Sequence, residues 1–253
     1  MKLYDNAFSP FARKVRLVLD YKGIPYEAFD ALLPEARAHL AAANRRVEVP
    51  VLEDGEITVV NSADIVAYLE QRHPRPAVHP DDPALRVKAR AWERRADGEI
   101  DAILHDASIW GWPILERHDT PPPGMLDAAR ADLEQVYDDL ESALAPEGFL
   151  CGELSIADLA LFPHLSAVAF LRMPFRADRH PKVCAWFERL KALPTCKEDV
   201  ARLRTWTKAV RTEPVKASHI VWRGDRVEWL LAHGLHEWLF EEIRAGRAAW
   251  PRR

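Results

Sequence analysis

The chain predicts an α/β layer followed by an all-helical half, and three observations carry that prediction. The first 72 residues alternate strand-like and helix-like segments in the order βαβαββα. Residues 73–83 then hold four prolines in eleven positions, which reads as a stiff linker. Beyond it, apolar residues recur at helical spacing to about residue 205.

Lys2-Leu3-Tyr4 forms a short strand, and Pro10 to Lys22 places Val15, Leu17, Val18 and Leu19 at helical spacing before Gly23 stops the helix. Tyr26 to Phe29 reads as a second strand, and Pro34 to Ala43 as a second helix with Pro in its first turn. Val51-Leu52 and Ile57 to Val60 flank Asp54-Gly55, a hairpin signal, and a third helix runs from Ser62 to about Gln71. After the linker, Asp82-Pro83 is a cap followed by Pro at the first helical position, opening a long helix through Trp92 and Ile100. Thr120 to Gly124 breaks the chain. Leu126, Leu133, Val136, Tyr137, Leu140 and Leu144 mark the next amphipathic helix. Ser155-Ile156-Ala157-Asp158 is a variant capping box, and the apolar run from Leu159 to Leu171 predicts the core helix of the second half, with Pro163 a candidate kink.

Composition excludes several classes. With 48% apolar residues and a net charge of −4, the chain is neither disordered nor equipped to neutralise nucleic-acid phosphates. Three cysteines at irregular spacing (Cys151, Cys184, Cys196) read as reduced thiols of a cytoplasmic protein. The first residues lack a signal-peptide pattern, and no apolar run is long enough to span a membrane.

Three places in the α/β layer point to one cleft. Ser9 sits between the first strand and the first helix, where its hydroxyl meets a helix N-terminus. Val49-Pro50 enters a strand, where a cis bond would present the Val49 backbone to a ligand. Asn61-Ser62 opens the third helix, whose free N–H groups suit an anion. Taken singly, each also reads as ordinary capping or strand entry.

Together, Ser9-Pro10-Phe11-Ala12-Arg13-Lys14-Val15-Arg16, then Asn44 to Leu52, then Asn61-Ser62-Ala63-Asp64-Ile65, with the Ser155–Asp158 box in register, resemble the cytosolic glutathione transferase family of serine type. The resemblance covers residues 1 to about 205. It implies a thioredoxin-like domain over residues 1–72 that binds the co-substrate glutathione, and a helical domain over 84–205 that supplies most of the pocket for a small electrophile. It also implies a homodimer. By the same resemblance, Ser9 donates a hydrogen bond to the glutathione sulfur, Val49 pairs through its backbone with the cysteinyl part, and Asn61 and Ser62 hold the γ-glutamyl carboxylate. Phe11, Arg46 and Pro50 complete the glutathione set. Phe11, His105, Trp110 and Trp112 are candidates for the electrophile pocket, with core or interface packing as the alternative for His105 and the Trp pair. Their flatness favours apolar or aromatic substrates.

No Cys precedes residue 151, which argues against the cysteine-type members that reduce disulfides. Tyr4, the other nearby hydroxyl, reads as core because it lies inside a strand. Two departures bear on affinity. Glu48 stands where relatives usually carry a basic residue, so Arg46, Arg45 or His39 would have to meet the glycine carboxylate. Asn61 replaces the more usual Glu or Gln. These leave open a non-catalytic binding or regulatory module, and the same thiolate step also serves isomerases, dehalogenases and ether-cleaving enzymes.

Residues 206–253 form an extension that holds five of the nine Trp. Ile220 to Asp225 reads as an extended piece and turn, and Arg226 to Ala245 as one amphipathic helix with Val227, Leu230, Leu231, Leu235, Trp238, Leu239 and Ile243 on one face. His233 and His236 lack the zinc-protease pattern, so no metal is expected.

Overall fold

The computed structural model describes residues 1–31, 33–108, 110, 120–169, 171–210, 220–221 and 223–249. The first layer follows the expected order: β1 (Lys2–Asp5), α1 (Pro10–Lys22), β2 (Glu27–Asp30), α2 (Pro34–Ala43), β3 (Val51–Asp54), β4 (Ile57–Val60) and α3 (Ser62–Arg72). The sheet order is β2-β1-β3-β4, with β1 parallel to β2 and antiparallel to β3, and β3 antiparallel to β4. Alternation along the strands divides the packing. Leu3 and Leu52 face the α1/α3 side in the main core, whereas Tyr4 and Val51 pack with Leu40 in a smaller cluster that includes α2. β2 starts one residue later than expected, its pairing with β1 beginning at Glu27; the Tyr26 hydroxyl donates to Asp20 (3.1 Å) and accepts from Arg202 (2.8 Å).

The helical half opens with α4 (Pro83–Arg95), capped by the Asp82 carboxylate on the Leu85 N–H at 2.8 Å. It continues through one π turn, Ala96–Ile100, into α5 (Asp101–Ser108). α6 (Met125–Ala143), α7 (Ile156–Leu165), α8 (Pro181–Ala192) and α9 (Pro194–Val210) follow. The expectation of a helix reaching Leu171 is corrected: α7 stops at Leu165. The Pro163 carbonyl is taken by Arg13 Nη1 (2.9 Å) and Ser166 Oγ (2.8 Å), so side chains close the last turn. Val168 and Leu171 stay buried from the turns beyond it. Asp158 does more than cap this helix. Its carboxylate accepts from Ser155 N and Oγ, Leu150 N and the Trp186 indole, at 2.8–3.0 Å.

Helix α1 is sewn into the helical half by charge. Arg13, Lys14 and Arg16 are only 2%, 1% and 3% exposed. Arg13 forks onto Asp199 of α9 (2.6 Å), Lys14 reaches Glu93 (3.1 Å) and Asp97 (2.5 Å), and Arg16 bridges Asp5 (2.6 Å) and Asp199 (3.1 Å). Buried cations on this scale persist only when paired and hydrogen-bonded, as these are.

The extension corrects a second expectation. Instead of one helix over 226–245, there are two, α10 (Gly224–Ala232) and α11 (His236–Arg244), with β5 (Ile220–Val221) and β6 (Ala248–Ala249) paired in parallel beside them. Gly234 takes φ +71°, and the N–H groups of Gly234 and Leu235 close back onto Leu231 and Leu230, ending α10 in a left-handed cap. Trp229, Leu230, Leu235 and Leu239 join the main core, while Leu231 turns outward at 48% exposure. The tail is pinned by Arg226 on Asp101 (2.9 Å) and by Trp229 and His233 on Asp132 (2.7 and 2.8 Å).

Candidate functional site

The strand register puts the three candidate places at one end of the sheet. Tyr4 pairs with Val51, and Val51 with Val60. The exit of β1 towards Ser9, the entry of β3 at Pro50 and the exit of β4 into Asn61 therefore lie side by side.

Ser9 is the N-cap of α1, with Pro10 at the first helical position. Its oxygen accepts the Ala12 N–H at 3.4 Å, a long bond that leaves the hydroxyl proton free to donate. The Val49–Pro50 bond is cis. Among the described residues, the Val49 N–H and C=O make no hydrogen bond, and Val49 is half-buried. Asn44 braces the loop before it, donating to the Glu48 carbonyl (3.0 Å) and accepting from the Arg46 N–H (3.0 Å). Asn61 takes φ +74° and caps α3 through the Ala63 N–H (3.0 Å). The Ser62 N–H and hydroxyl are uncommitted among the described residues.

Tyr4 is 5% exposed, stacks on Phe29 and donates to Glu53 at 3.3 Å, so its hydroxyl is spent within the sheet. Arg46 forks onto Glu48 at 2.8 and 2.9 Å. Glu48 thus neutralises the nearest guanidinium rather than standing as a bare charge.

On the electrophile side, Phe11 is half-buried, edge-on to His164 (5.8 Å between ring centres) and capped by the guanidinium of Arg223 at 4.6 Å. Burial, with Lys14, Arg13, Arg226 and Arg223 nearby, holds His164 neutral, well below its ordinary pKa. His105 on α5 is held neutral by burial and by Arg226 and Arg223, and its Nε2 is a buried atom without a hydrogen bond. Trp110 packs against Trp238 of α11, ring centres 5.5 Å apart. Trp112 lies outside the described residues. Arg223, His164 and Trp238 were not among the sequence-predicted site residues; no local pattern ties Arg223 or His164 to Phe11, and Trp238 was legible only as part of an apolar face.

The sequence and the fold have counterparts among known proteins. Residues 3–77 match the family model for the glutathione S-transferase N-terminal domain, and 112–189 that for its C-terminal domain. The chain belongs to the glutathione S-transferase family. Its relatives in that family include the Escherichia coli uncharacterized GST-like protein YibF, 30% identical over 68% of this chain and 84% of that one. Among solved glutathione S-transferases, a homologue from Drosophila mojavensis with bound glutathione superposes with a TM-score of 0.67 at 25% identity, covering 85% of this chain and 98% of the other. One from Methylobacterium radiotolerans, in complex with glutathione sulfonate, gives 0.65 at 25% identity over 79% and 93%. The thioredoxin-like layer and the helical half are the two parts of the family fold. Among the described residues no helix is long and apolar enough to cross a membrane.

Proposed function

We propose that this chain is a glutathione transferase of serine type that activates the glutathione thiol with Ser9 and passes the thiolate to small, flat electrophiles. The observation that carries the reading is the Ser9 hydroxyl, placed at the start of α1 with its proton unspent, at the same sheet end as the open Val49 backbone and the Ser62 N–H. Glutathione would lie across that end. Its sulfur accepts from Ser9, its cysteinyl backbone pairs with Val49 beside Pro50, and its γ-glutamyl carboxylate takes the start of α3 at Asn61 and Ser62. The helix dipole and one hydrogen bond to sulfur favour thiolate over thiol. Lowering a thiol pKa from ~8.5 by about two units takes roughly 2.7 kcal/mol, within reach of those two effects together. The Arg46–Glu48 pair supports only weak recognition of the glycine carboxylate, because the guanidinium is already engaged.

In this reading residues 1–72 hold glutathione and 84–205, joined by the extension, wall the electrophile pocket. Two copies pair as a homodimer, which sedimentation measures directly. The test of the chemistry is a thiolate titration of bound glutathione by ultraviolet difference absorbance. The wild type should titrate about two pH units below free glutathione, and Ser9→Ala should return most of that shift. Binding with an unshifted thiol would favour the non-catalytic reading instead. Undiminished thiolate in Ser9→Ala would remove the hydroxyl from the mechanism.

A further inference from the structure

Arg223 differs from the other clustered guanidiniums of this molecule. Arg13, Arg16 and Arg226 are each buried against a carboxylate at 2.6–2.9 Å. Arg223 is 29% exposed, and its Nη2 donates to the Asp97 carbonyl (3.1 Å) and to the rim carboxylate Asp225 (3.4 Å). Its Nε and Nη1 donate no hydrogen bond among the described residues; the nearest buried carboxylate, Asp101, lies 3.8 Å from Nη1 and is already forked by Arg226. The flat guanidinium is held over the Phe11 ring, next to the start of α1. It is thus preorganised by stacking and keeps three N–H donors outside hydrogen bonds, with Asp101 (3.8 Å) and Asp225 (3.4 Å) as its looser carboxylate neighbours.

Arg226, Arg13 and Lys14 behind it are each matched by a carboxylate of their own. Arg223 lowers the proton affinity of both His105 and His164, which burial already holds neutral. Phe11 and the partly exposed Trp110–Trp238 pair offer flat apolar surfaces, and His105 Nε2 is a buried atom without a hydrogen bond. An aromatic ring suits the flat apolar surfaces, and an anion suits the open edge of the guanidinium.

We propose that Arg223 is the specificity-determining residue of the electrophile pocket, selecting aromatic electrophiles that carry a carboxylate. The proposal rests on the reading of Ser9 as the thiol-activating group, and it gives the extension a role in recognition. The probes are 4-chloro-3,5-dinitrobenzoate and its neutral carboxamide. In each, the glutathione thiolate attacks the carbon bearing chlorine; the C–S bond forms, the C–Cl bond breaks, and chloride leaves with the electron pair, the thiol proton having passed to water.

The ratio of kcat/KM for carboxylate over carboxamide should fall about tenfold to a hundredfold in Arg223→Gln, the loss of a charge-assisted contact, and should largely recover in Arg223→Lys. A ratio unmoved by Arg223→Gln would overturn the proposal, as would an equal fall with both variants. Should the wild type turn over neither electrophile, the transferase reading fails. The Arg223 proposal is then judged by tryptophan-fluorescence titration with 3,5-dinitrobenzoate and 3,5-dinitrobenzamide, which need no chemistry. A carboxylate preference that disappears in Arg223→Gln supports it, and equal affinities in the wild type refute it.

Discussion

Removing the carboxylate of Asp158 should nearly unfold this protein, and the structure sets the size of the effect. Asp158 is fully buried, and four donors converge on it: the Leu150 and Ser155 N–H groups, the Ser155 hydroxyl and the Trp186 indole. In Asp158→Ala the hydroxyl can rotate to a new acceptor, but the two backbone groups and the indole cannot. At about 1–3 kcal/mol for each buried donor left without a partner, the loss comes to about 3–9 kcal/mol. That is comparable with the total stability of about 5–15 kcal/mol typical of folded proteins. Asp158→Asn keeps one acceptor oxygen and turns an amide towards the remaining donors, so about half the loss is expected. Urea unfolding followed by tryptophan fluorescence separates the cases. The Asn variant should lose roughly 1–2 M in midpoint, and the Ala variant should be mostly insoluble or unfolded without urea. An Ala variant that unfolds within about 0.3 M of the wild type would refute the reasoning.

His164 is held neutral in the folded chain, whereas the unfolded chain takes up its proton below about pH 6.5. Its contribution is therefore present above that pH and lost as pH falls. The wild type's advantage over His164→Gln in unfolding free energy should shrink by about 1.4 kcal/mol per pH unit between pH 6 and 5. Asp106, whose pKa burial raises well above the usual carboxylate range, works in the opposite sense, so the difference between the two proteins is the quantity to measure. A constant difference would contradict the assignment. Arg226→Ala strands the buried Asp101 carboxylate, at a cost of about 3–5 kcal/mol; hydrogen exchange should quicken in α10 well before α3, and uniform protection would count against the tail being pinned there. Gly234→Ala should cost only about 1 kcal/mol, because the added methyl meets nothing within 4 Å and only the backbone conformation resists. Gly148→Ala should cost clearly more, since its Cβ would sit 2.8 Å from the Gly152 carbonyl oxygen; calorimetric melting of the two variants ranks them.

What the sequence revealed was local. Ser9-Pro10, Asn61-Ser62 and Ser155 to Asp158 are legible because a cap and its partner lie within one helical turn. The hairpin at Asp54-Gly55 is legible for the same reason. What escaped was long-range. Nothing local to α1 marks Arg13, Lys14 and Arg16 as buried; their partners come from α4, the π turn, α7 and α9, with Asp5 of β1 beside Arg16. Trp186 shares the Asp158 carboxylate from a separate helix. The break at Gly234 was missed because α10 and α11 keep nearly the same apolar spacing on either side of it. Arg223 gave no signal at all, since its significance depends on Phe11, far away in the chain.

The pairing of Arg13 with Asp199 also bears on synthesis. The two residues are separated by 186 positions. At about 5–20 residues per second, a ribosome takes roughly 10–40 s to supply the carboxylate after the arginine has been made. Throughout that interval Arg13 lacks its counter-charge, whereas Arg16 already has Asp5 and Lys14 gains Glu93 and Asp97 roughly halfway through. The burial of Arg13 on the helix that bears Ser9 can therefore be completed only after most of the chain has emerged, and a truncated N-terminal layer should be less stable than the same layer in the full chain.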